Sequence, residues 1–467
     1  MEHAFSSATE QARLIRERAV SSVELVGGYL ERIARLDPGL NAFVTVRDAA
    51  LEDARAADEA ASDAPFHGVP IAIKDLTATA GIRTTFSSRA YADFVPDYDT
   101  AVVRRLKEAG FVILGKTNTP EFGTTAFTES ELNGATRNPW SPDRTPGGSS
   151  GGAAAALAAG LLPVAHGSDG GGSVRIPASC CGVFGLKPSR GRISAAPFTP
   201  LEGLSTAGPL SRTVADAAAL LDVMAGYEPG DPYWAPPPER PFAQDVLRSP
   251  RTLRVAVTTT TPSGASVDPV CAAAAEDAGR LLAELGHEVV EATPPWVDPD
   301  LVHTFIVVWQ IGPALHPVAD PSLLTPLNRE LAESARACSA ADYGRAVARL
   351  HAFARKVVGF WTDHDVVVTP TLALPPVSIG WQSAVDGAVE QLLRNGEFTP
   401  FTAVVNLTGQ PAASVPFAWS EAGLPIGVHA IGPPAGDALV LQLAAQVEEA
   451  RPWSDRRPPS SALRPAA

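Results

Sequence analysis

The sequence predicts an α/β fold built on a mixed or parallel β-sheet, and two observations lead to this prediction. Short apolar runs typical of buried strands alternate along the chain with longer segments of helical periodicity. The composition, with 45% hydrophobic and 19% charged residues in a chain of 467, supplies enough apolar material for a large core. The 43 prolines and 39 glycines add the expectation of many loops.

The first sixty residues predict helices, because apolar residues recur there at helical spacing. Ser21–Glu24 resembles a capping box that opens the second of these helices, and Asp99 is the expected N-cap of a later helix at 100–109. The other predicted elements are, in order, a helix at 49–61, strands at 68–74 and 111–115, helices at 153–162 and 216–226, a strand at 253–257, a helix at 268–285, and strands at 287–290 and 365–370.

A single domain is predicted for residues 1–455. Its parts are N-terminal helices at 1–62, a core at 63–227, a Pro-rich crossover at 229–241 and a C-terminal part at 250–455. The crossover is the best position for a domain boundary, should the chain have one. Residues 456–467 are rich in Arg, Pro, Ser and Ala and predict a disordered tail.

Charge and cysteine content exclude several classes of protein. The net charge of −14 disfavours binding to nucleic acid or to anionic membranes. The four cysteines have no C-x-x-C spacing, so neither a zinc site nor a redox pair is predicted, and no cofactor is expected. The sequence contains no visible signal peptide and no apolar run long enough to span a bilayer. We expect a cytoplasmic monomer or homodimer that acts on a small molecule.

Two polar positions in apolar or glycine-rich surroundings stand out, although each has an ordinary explanation. Lys74 ends a predicted buried strand, where burial of an ammonium group is costly. Taken alone, Lys74 is better explained by a side chain that reaches solvent or pairs with Asp75. Ser149 lies within Gly147–Gly152, directly before an Ala-rich helix, and taken alone this segment is better explained as an N-cap loop.

A third position favours function. Three consecutive glycines, Gly170–Gly172, precede Ser173, which lets backbone N–H groups converge beside a hydroxyl as an oxyanion hole requires. The apolar segments on either side argue against a flexible linker. Asp169 and Arg175 flank this loop and are interpreted as a pair that fixes it, with a purely structural pair and direct substrate contact both left open.

Together these segments resemble the amidase-signature family. The characteristic stretch runs from Gly147-Gly-Ser-Ser-Gly-Gly through Gly167-Ser-Asp-Gly-Gly-Gly-Ser-Val-Arg-Ile-Pro to Cys181-Gly-Val-Phe-Gly-Leu-Lys-Pro188. Further similar blocks lie at 68–75, 114–122, 367–371 and 406–412, so the resemblance covers nearly the whole chain. It implies a large, mixed, twisted sheet covered on both faces by α-helices.

The resemblance also implies roles for individual residues. The family's catalytic lysine falls on Lys74, its bridging serine, typically in a cis peptide, on Ser149, and its nucleophile on Ser173. The implied oxyanion donors are the N–H groups of Gly170, Gly171, Gly172 and Ser173. Ser150, Asp169 and Arg175 are expected to support these residues. Small and hydrophobic residues around 122–127, with Thr124, Thr125 and Phe127 among them, are expected to line the pocket. Gly170 stands where family members more often carry Thr or Ile.

The chemistry agrees with this assignment. A serine hydroxyl is a weak nucleophile until a base takes its proton. A lysine can be that base only when it is neutral, and desolvation lowers its pKa. Ser149 would relay the proton and later deliver it to the leaving nitrogen. Such a base predicts activity that rises toward alkaline pH.

The substrate is less well specified. Segments at 134–140, 163–167 and 173–179 look similar to a bacterial branch that includes the 6-aminohexanoate-cyclic-dimer hydrolase, whereas 301–343, a region that often shapes the acyl pocket in this family, has no clear match. We expect an apolar linear amide or carbamate, with aryl acylamidase, esterase or urethanase side activity, and the cyclic dimer is a narrower hypothesis. Thr399 stands where the glutamine-hydrolysing subunit of tRNA-dependent amidotransferases carries Asp, which argues against that role.

One further alternative follows from Ser149. The segment 147–151 matches G-x-S-x-G, the nucleophile motif of α/β-hydrolase esterases. That enzyme would need a downstream acid and then a histidine, for which Asp365 and His429 are the candidates.

Overall fold

The computed structural model describes residues 2–198 and 201–459. Its strands are β1 (Phe43–Val46), β2 (Pro70–Lys74), β3 (Val112–Thr117), β4 (Glu129–Ser130), β5 (Gly134–Ala135), β6 (Val164–Asp169), β7 (Phe184–Lys187), β8 (Thr206–Ser211), β9 (Arg254–Val257), β10 (Glu288–Glu291), β11 (Val366–Pro370), β12 (Ala412–Trp419) and β13 (Pro425–Ile431).

Within these described residues, eleven strands form one mixed sheet in the order β1-β3-β2-β6-β8-β7-β12-β13-β11-β9-β10, and β4 pairs with β5 separately. Parallel pairs lie toward the two ends, where β2 joins β3 and β6, and β9 joins β10 and β11. The strands between these two groups pair antiparallel.

The α-helices are α1 (Ala8–Arg16), α2 (Ser22–Leu36), α3 (Ala50–Glu59), α4 (Ala101–Glu108), α5 (Gly151–Ala158), α6 (Arg175–Cys181), α7 (Val214–Met224), α8 (Phe242–Asp245), α9 (Pro269–Glu284), α10 (Leu301–Trp309), α11 (Ile311–Leu315), α12 (Pro326–Ala337), α13 (Ala340–Val358), α14 (Ala388–Phe398), α15 (Thr402–Thr408) and α16 (Asp437–Ala450).

Helices cover both faces of the sheet. Successive side chains of a strand point to opposite faces, and β2 shows this directly. Ile71 and Ile73 pack into a core with α4, α7, α9 and α16, while Ala72 packs into a second core with α2 and α5. The predicted α/β class, with a mixed sheet covered on both faces, is confirmed.

The predicted elements are all present, with shifted ends. The capping box at Ser21 forms, because its side chain accepts from the Glu24 amide while the Glu24 carboxylate accepts from the Ser21 amide. The prediction of Asp99 as N-cap was wrong: Thr100 has that position, and the Asp99 carboxylate instead accepts from the Ala80 amide and from Lys107.

The buried helix α5 begins two residues earlier than predicted, at Gly151, and ends at Ala158. Its start lies in a very crowded place. A Cβ at Gly152 would stand 2.4 Å from both the Ala42 carbonyl oxygen and the Asn118 amide nitrogen, so only glycine fits. This contact holds the start of α5, and Ser149 and Ser150 before it, close against the sheet.

The Pro-rich crossover at 229–241 does not separate two sheets. Strand β7 lies before it in sequence and pairs with β12, which lies after it. The assignment of 1–455 to one domain stays a prediction, as does the disordered tail, of which residues 460–467 lie outside the described residues. Within the described residues, no helix is long and apolar enough to cross a membrane.

Candidate active site

Lys74 is fully buried at the end of β2, and its amine points at hydroxyl groups. Nζ donates to Ser149 Oγ at 2.7 Å, to Ser168 Oγ at 3.1 Å and to the Ser168 carbonyl at 3.2 Å. Burial lowers the pKa of Lys74 to about 7, and the charge of Asp169 opposes this only in part. Asp75 is not its partner, since that carboxylate accepts from Thr85. Lys74 is therefore placed to exchange a proton with Ser149.

Ser149 and Ser150 connect this lysine to the loop that carries Ser173. The peptide bond between Gly148 and Ser149 is cis. The Ser150 amide donates to the carbonyl of Ser173 at 3.1 Å, and Ser150 Oγ donates to the Ser168 carbonyl at 3.2 Å. Among the described residues, no hydrogen bond joins the hydroxyl groups of Ser149 and Ser173. The backbone thus brings the two serines together, while the Ser173 hydroxyl remains free for a reacting carbonyl.

The loop from Asp169 to Val174 is held by the carboxylate of Asp169. Oδ1 accepts from the Gly172 amide at 2.8 Å and Oδ2 from the Val174 amide at 3.1 Å. At Gly172, φ is +129°, and a Cβ there would stand 2.3 Å from Thr402 Oγ1, so glycine is required.

This arrangement changes the predicted oxyanion hole. The Gly172 N–H is already bonded to Asp169, so its assignment as a free donor was wrong. The N–H groups of Gly170, Gly171 and Ser173 make no hydrogen bond to any residue that the structure describes. Of the four predicted donors, these three therefore remain as candidates for stabilising an oxyanion.

Arg175 fixes Asp169 from behind the loop. Both side chains are fully buried and neither lines the cleft, so the structure favours a role in fixing the loop over direct substrate contact. All five N–H groups of Arg175 are bonded: Nε to Asp169 Oδ2, Nη2 to Asp169 Oδ1 and Asn406 Oδ1, and Nη1 to the Thr402 carbonyl and His429 Nε2. Burial by itself would raise the pKa of Asp169, but the Arg175 guanidinium outweighs it and lowers that pKa well below its usual value.

A cleft of about 800 Å³, counting its solvent-open part, leads to Ser173. Thr124 and Thr125 line one wall, and none of the described residues along the cleft carries a charge. A large apolar part of the lining comes from α10, through Leu301, Val302, Phe305, Ile306 and Trp309. This volume is typical of small-molecule sites.

The amidase family model matches residues 24–441 of the chain. The chain belongs to the amidase-signature family. The match confirms the predicted family and makes the protein a hydrolase of the class that acts on amides.

Individual relatives agree with this assignment. This chain is 40% identical over 479 residues to the 6-aminohexanoate-cyclic-dimer hydrolase of Pseudomonas sp. (strain NK87), and the match covers 97% of this chain and 96% of that protein. It is 39% identical to an acylamidase of Rhodococcus erythropolis, covering 97% of each. A solved structure of 6-aminohexanoate cyclic dimer hydrolase complexed with substrate superposes with a TM-score of 0.91 at 37% identity, covering 98% of this chain and 99% of that one. The predicted similarity to this bacterial branch is confirmed.

Two sequence-based hypotheses do not fit the amidase structure. Phe127 does not line the cleft, because its ring is fully buried and stacks on Phe398 with centroids 5.2 Å apart. The esterase alternative needs Asp365 and His429 next to Ser149. His429 instead accepts from Arg175, and Asp365 pairs with Arg251.

The resemblance pointed to 301–343 as a region that often shapes the acyl pocket, but no residue of α10 was predicted to line the cleft. The signal was present, since Leu301–Trp309 reads Leu-Val-His-Thr-Phe-Ile-Val-Val-Trp and is apolar on nearly every side. A helix of that kind is buried or covers an apolar site. The pattern alone gives no partner, because the residues it meets lie far away in sequence.

Proposed function

We propose that this amidase hydrolyses a small, largely apolar amide or carbamate through an acyl-enzyme on Ser173, with Lys74 as base and Ser149 as relay. The observation that carries the proposal is the 2.7 Å hydrogen bond from the buried Lys74 amine to Ser149 Oγ, beside the turn that presents Ser173. An amine whose pKa is lowered to about 7 is largely neutral in mildly alkaline solution and can accept a proton.

The reaction proceeds in two acyl-transfer steps. Ser149 passes its proton to Lys74 as it takes the proton of Ser173, and Ser173 Oγ attacks the substrate carbonyl. The N–H groups of Gly170, Gly171 and Ser173 stabilise the oxyanion, and one such donor contributes on the order of 3 kcal/mol. Lys74 returns the proton through Ser149 to the leaving nitrogen. Water then attacks the acyl-enzyme with the same residues as base and acid.

The uncharged cleft supports the proposed substrate class. Burying an unpaired charge is costly, so a wall without charged side chains favours neutral groups on both sides of the amide. The relatives point the same way, since one acts on a cyclic dimer of 6-aminohexanoate and another is an acylamidase. A linear amide remains the first choice and the cyclic dimer the narrower one.

Glutamine fits the same cleft poorly. It carries an ammonium group and a carboxylate. The cleft has the neutral Thr399 at the position where the glutamine-hydrolysing subunit carries Asp. The role of a glutamine amidase subunit is therefore disfavoured.

The test is a panel assay on the purified chain without any partner. The panel contains an anilide, a para-nitrophenyl carbamate, a linear aliphatic amide, the cyclic dimer and glutamine. The expected result is hydrolysis of the neutral amides or of the carbamate, with glutamine inert. Hydrolysis of glutamine alone would refute the substrate proposal. The Ser173→Ala variant, checked for folding, reports any contaminating hydrolase.

The sequence also supports a proposal about the working form of the enzyme. With a net charge of −14, we infer an enzyme that needs neither nucleic acid nor membrane. Because four cysteines without paired spacing suit a reducing compartment, we also propose a cytoplasmic location, with a monomer or homodimer as the working form. Light scattering on the purified chain should give the mass of one or two chains, and a larger assembly would contradict this.

A further inference from the structure

Two aromatic side chains of α10 cover the nucleophile turn. Phe305 and Trp309 are one helical turn apart and therefore lie on the same face of α10. Their rings stack with centroids 5.3 Å apart and an interplanar angle of 23°. Both rings line the cleft next to Ser173.

Trp309 occupies the space that a side chain at position 170 would need. A Cβ built on Gly170 would stand 3.0 Å from Cη2 and 3.3 Å from Cζ3 of the indole. Side chains rarely pack that closely, so a larger residue at 170 would push the indole away. At Gly171 the corresponding Cβ would meet only Phe305 Cζ, at 4.0 Å, which is an ordinary contact.

The indole is also fixed at its other side. Trp309 Nε1 donates to the Thr124 carbonyl at 3.0 Å, and Thr124 also lines the cleft. Trp309 is thus held between the carbonyl of Thr124 and the backbone of Gly170. A substrate whose carbonyl carbon is held at Ser173 would therefore share the cleft with this flat ring.

We propose that Trp309, seated on Gly170, determines the specificity of the amidase at the carbon next to the scissile carbonyl. The inference rests on the proposed acyl transfer at Ser173. The indole accepts a flat or unbranched group along its face and excludes a group that is branched at that carbon. The missing side chain at Gly170 is what allows the indole to take this position.

The first measurement compares two activated esters with the same leaving group, para-nitrophenyl hexanoate and para-nitrophenyl pivalate. The pair differs in branching beside the carbonyl. In Trp309→Ala the ratio of kcat/KM, hexanoate over pivalate, should fall by about tenfold or more relative to the wild type, as pocket steric effects of this size do. An unchanged ratio would overturn the proposal.

The second measurement is a double-mutant cycle. Gly170→Thr should lower kcat/KM for the hexanoate by about tenfold or more in the wild type, because the new side chain displaces the indole, and by less than about threefold in Trp309→Ala. Gly171→Ala is the matched control, because its effect should be the same in both backgrounds. An equal cost of Gly170→Thr in both backgrounds would contradict the coupling. If that variant does not fold, Gly170→Ala adds a single carbon and tests the same contact.

Failure of this proposal and failure of the proposed function give different results. In one case fluorophosphonate still labels Ser173, but the hexanoate to pivalate ratio of kcat/KM is the same in the wild type and in Trp309→Ala. This result refutes only the specificity claim. Ester hydrolysis that survives in Ser173→Ala refutes the catalytic assignment, and with it the basis of this inference.

Discussion

Two lysines on neighbouring strands have nearly the same burial and very different surroundings. Lys74 ends β2 and Lys116 lies in β3, where it pairs with Ile73 in the register. Both side chains are fully buried, and burial lowers the pKa of each to about 7. The pKa alone therefore does not distinguish them.

The hydrogen bonds of the two amines distinguish Lys74 from Lys116. Lys116 Nζ donates to the Thr77 carbonyl and to the hydroxyl groups of Thr79 and Thr84. All three acceptors belong to the loop after β2, so Lys116 stabilises that loop. Lys74 donates to Ser149, whose neighbour Ser150 contacts the Ser173 carbonyl. A buried lysine becomes a base for catalysis only when its amine faces a group that can pass the proton to the reacting atoms.

The largest expected effect comes from removing the amine of Lys74. Lys74→Met should lower kcat/KM by about a thousandfold or more, because neither Ser149 nor Ser173 then has a base. The matched Lys116→Met variant should stay within about tenfold of the wild type, since its effect passes only through the loop after β2. The measurement is kcat/KM on the best substrate of the panel. Equal losses in the two variants would contradict the distinction drawn between the two lysines.

Removal of the relay is expected to cost somewhat less. Ser149→Ala should lower kcat by about a hundredfold to a thousandfold, in the range of general acid–base contributions. The comparison variant is Ser168→Ala, which removes another hydroxyl that contacts Lys74 and should cost less than about tenfold. Steady-state kinetics on both variants would contradict the relay if Ser168→Ala proved the more damaging.

The comparison also predicts two pH dependences. Under the proposed mechanism activity needs neutral Lys74, so kcat/KM should rise with pH through a midpoint near 7 and then level off, both in the wild type and in Lys116→Met. A midpoint near pH 7 is lower than the sequence suggested, since an ordinary lysine base would make kcat/KM rise only at alkaline pH. It overlaps the range of an ordinary histidine, but burial lowers the pKa of His166 to about 3, so that ring cannot supply it. A midpoint that moves in Lys116→Met would contradict the assignment to Lys74.

The stability of Lys116→Met gives the second pH dependence. The pKa of Lys116 is about 7 in the folded chain and 10.5 for an ordinary lysine, so the unfolded chain binds more protons between these values. The free energy of unfolding of the wild type therefore increases with pH between about 7 and 10.5. Lys116→Met should reduce that slope by up to about 1.4 kcal/mol per pH unit. Urea denaturation at several pH values measures it, and an unchanged slope would contradict the lowered pKa.

The smallest effect is expected at His429. His429→Gln keeps a side-chain acceptor for Arg175 Nη1 and should retain kcat/KM within about threefold. His429→Leu leaves that N–H without an acceptor and should lower stability. A loss of a thousandfold or more in His429→Gln, measured on the same substrate, would revive the esterase alternative.

The sequence predicted the strands and helices well where the local pattern is strong. Strands β2 and β3 are short apolar runs, and α2 carries its own capping box. The resemblance brought Lys74, Ser149 and Ser173 together before the fold was known, although Lys74 and Ser149 singly had better ordinary explanations.

What could not be predicted depends on distant contacts. The contact between Trp309 and Thr124 joins residues 185 positions apart, and no local pattern indicates it. The loss of the Gly172 donor follows from the orientation of one carboxylate, that of Asp169. Phe127 was expected in the cleft because small and hydrophobic residues surround it in the sequence, but Phe398 from α14 covers its ring.

The central claim is that Ser173, and not Ser149, forms the acyl-enzyme. The most direct measurement treats the protein with a fluorophosphonate and locates the adduct by peptide mass spectrometry. The expected result is one adduct on Ser173, no labelling of Ser173→Ala, and strongly slowed labelling of Lys74→Met but not of Lys116→Met. An adduct on Ser149, or undiminished labelling of Ser173→Ala, would contradict the account.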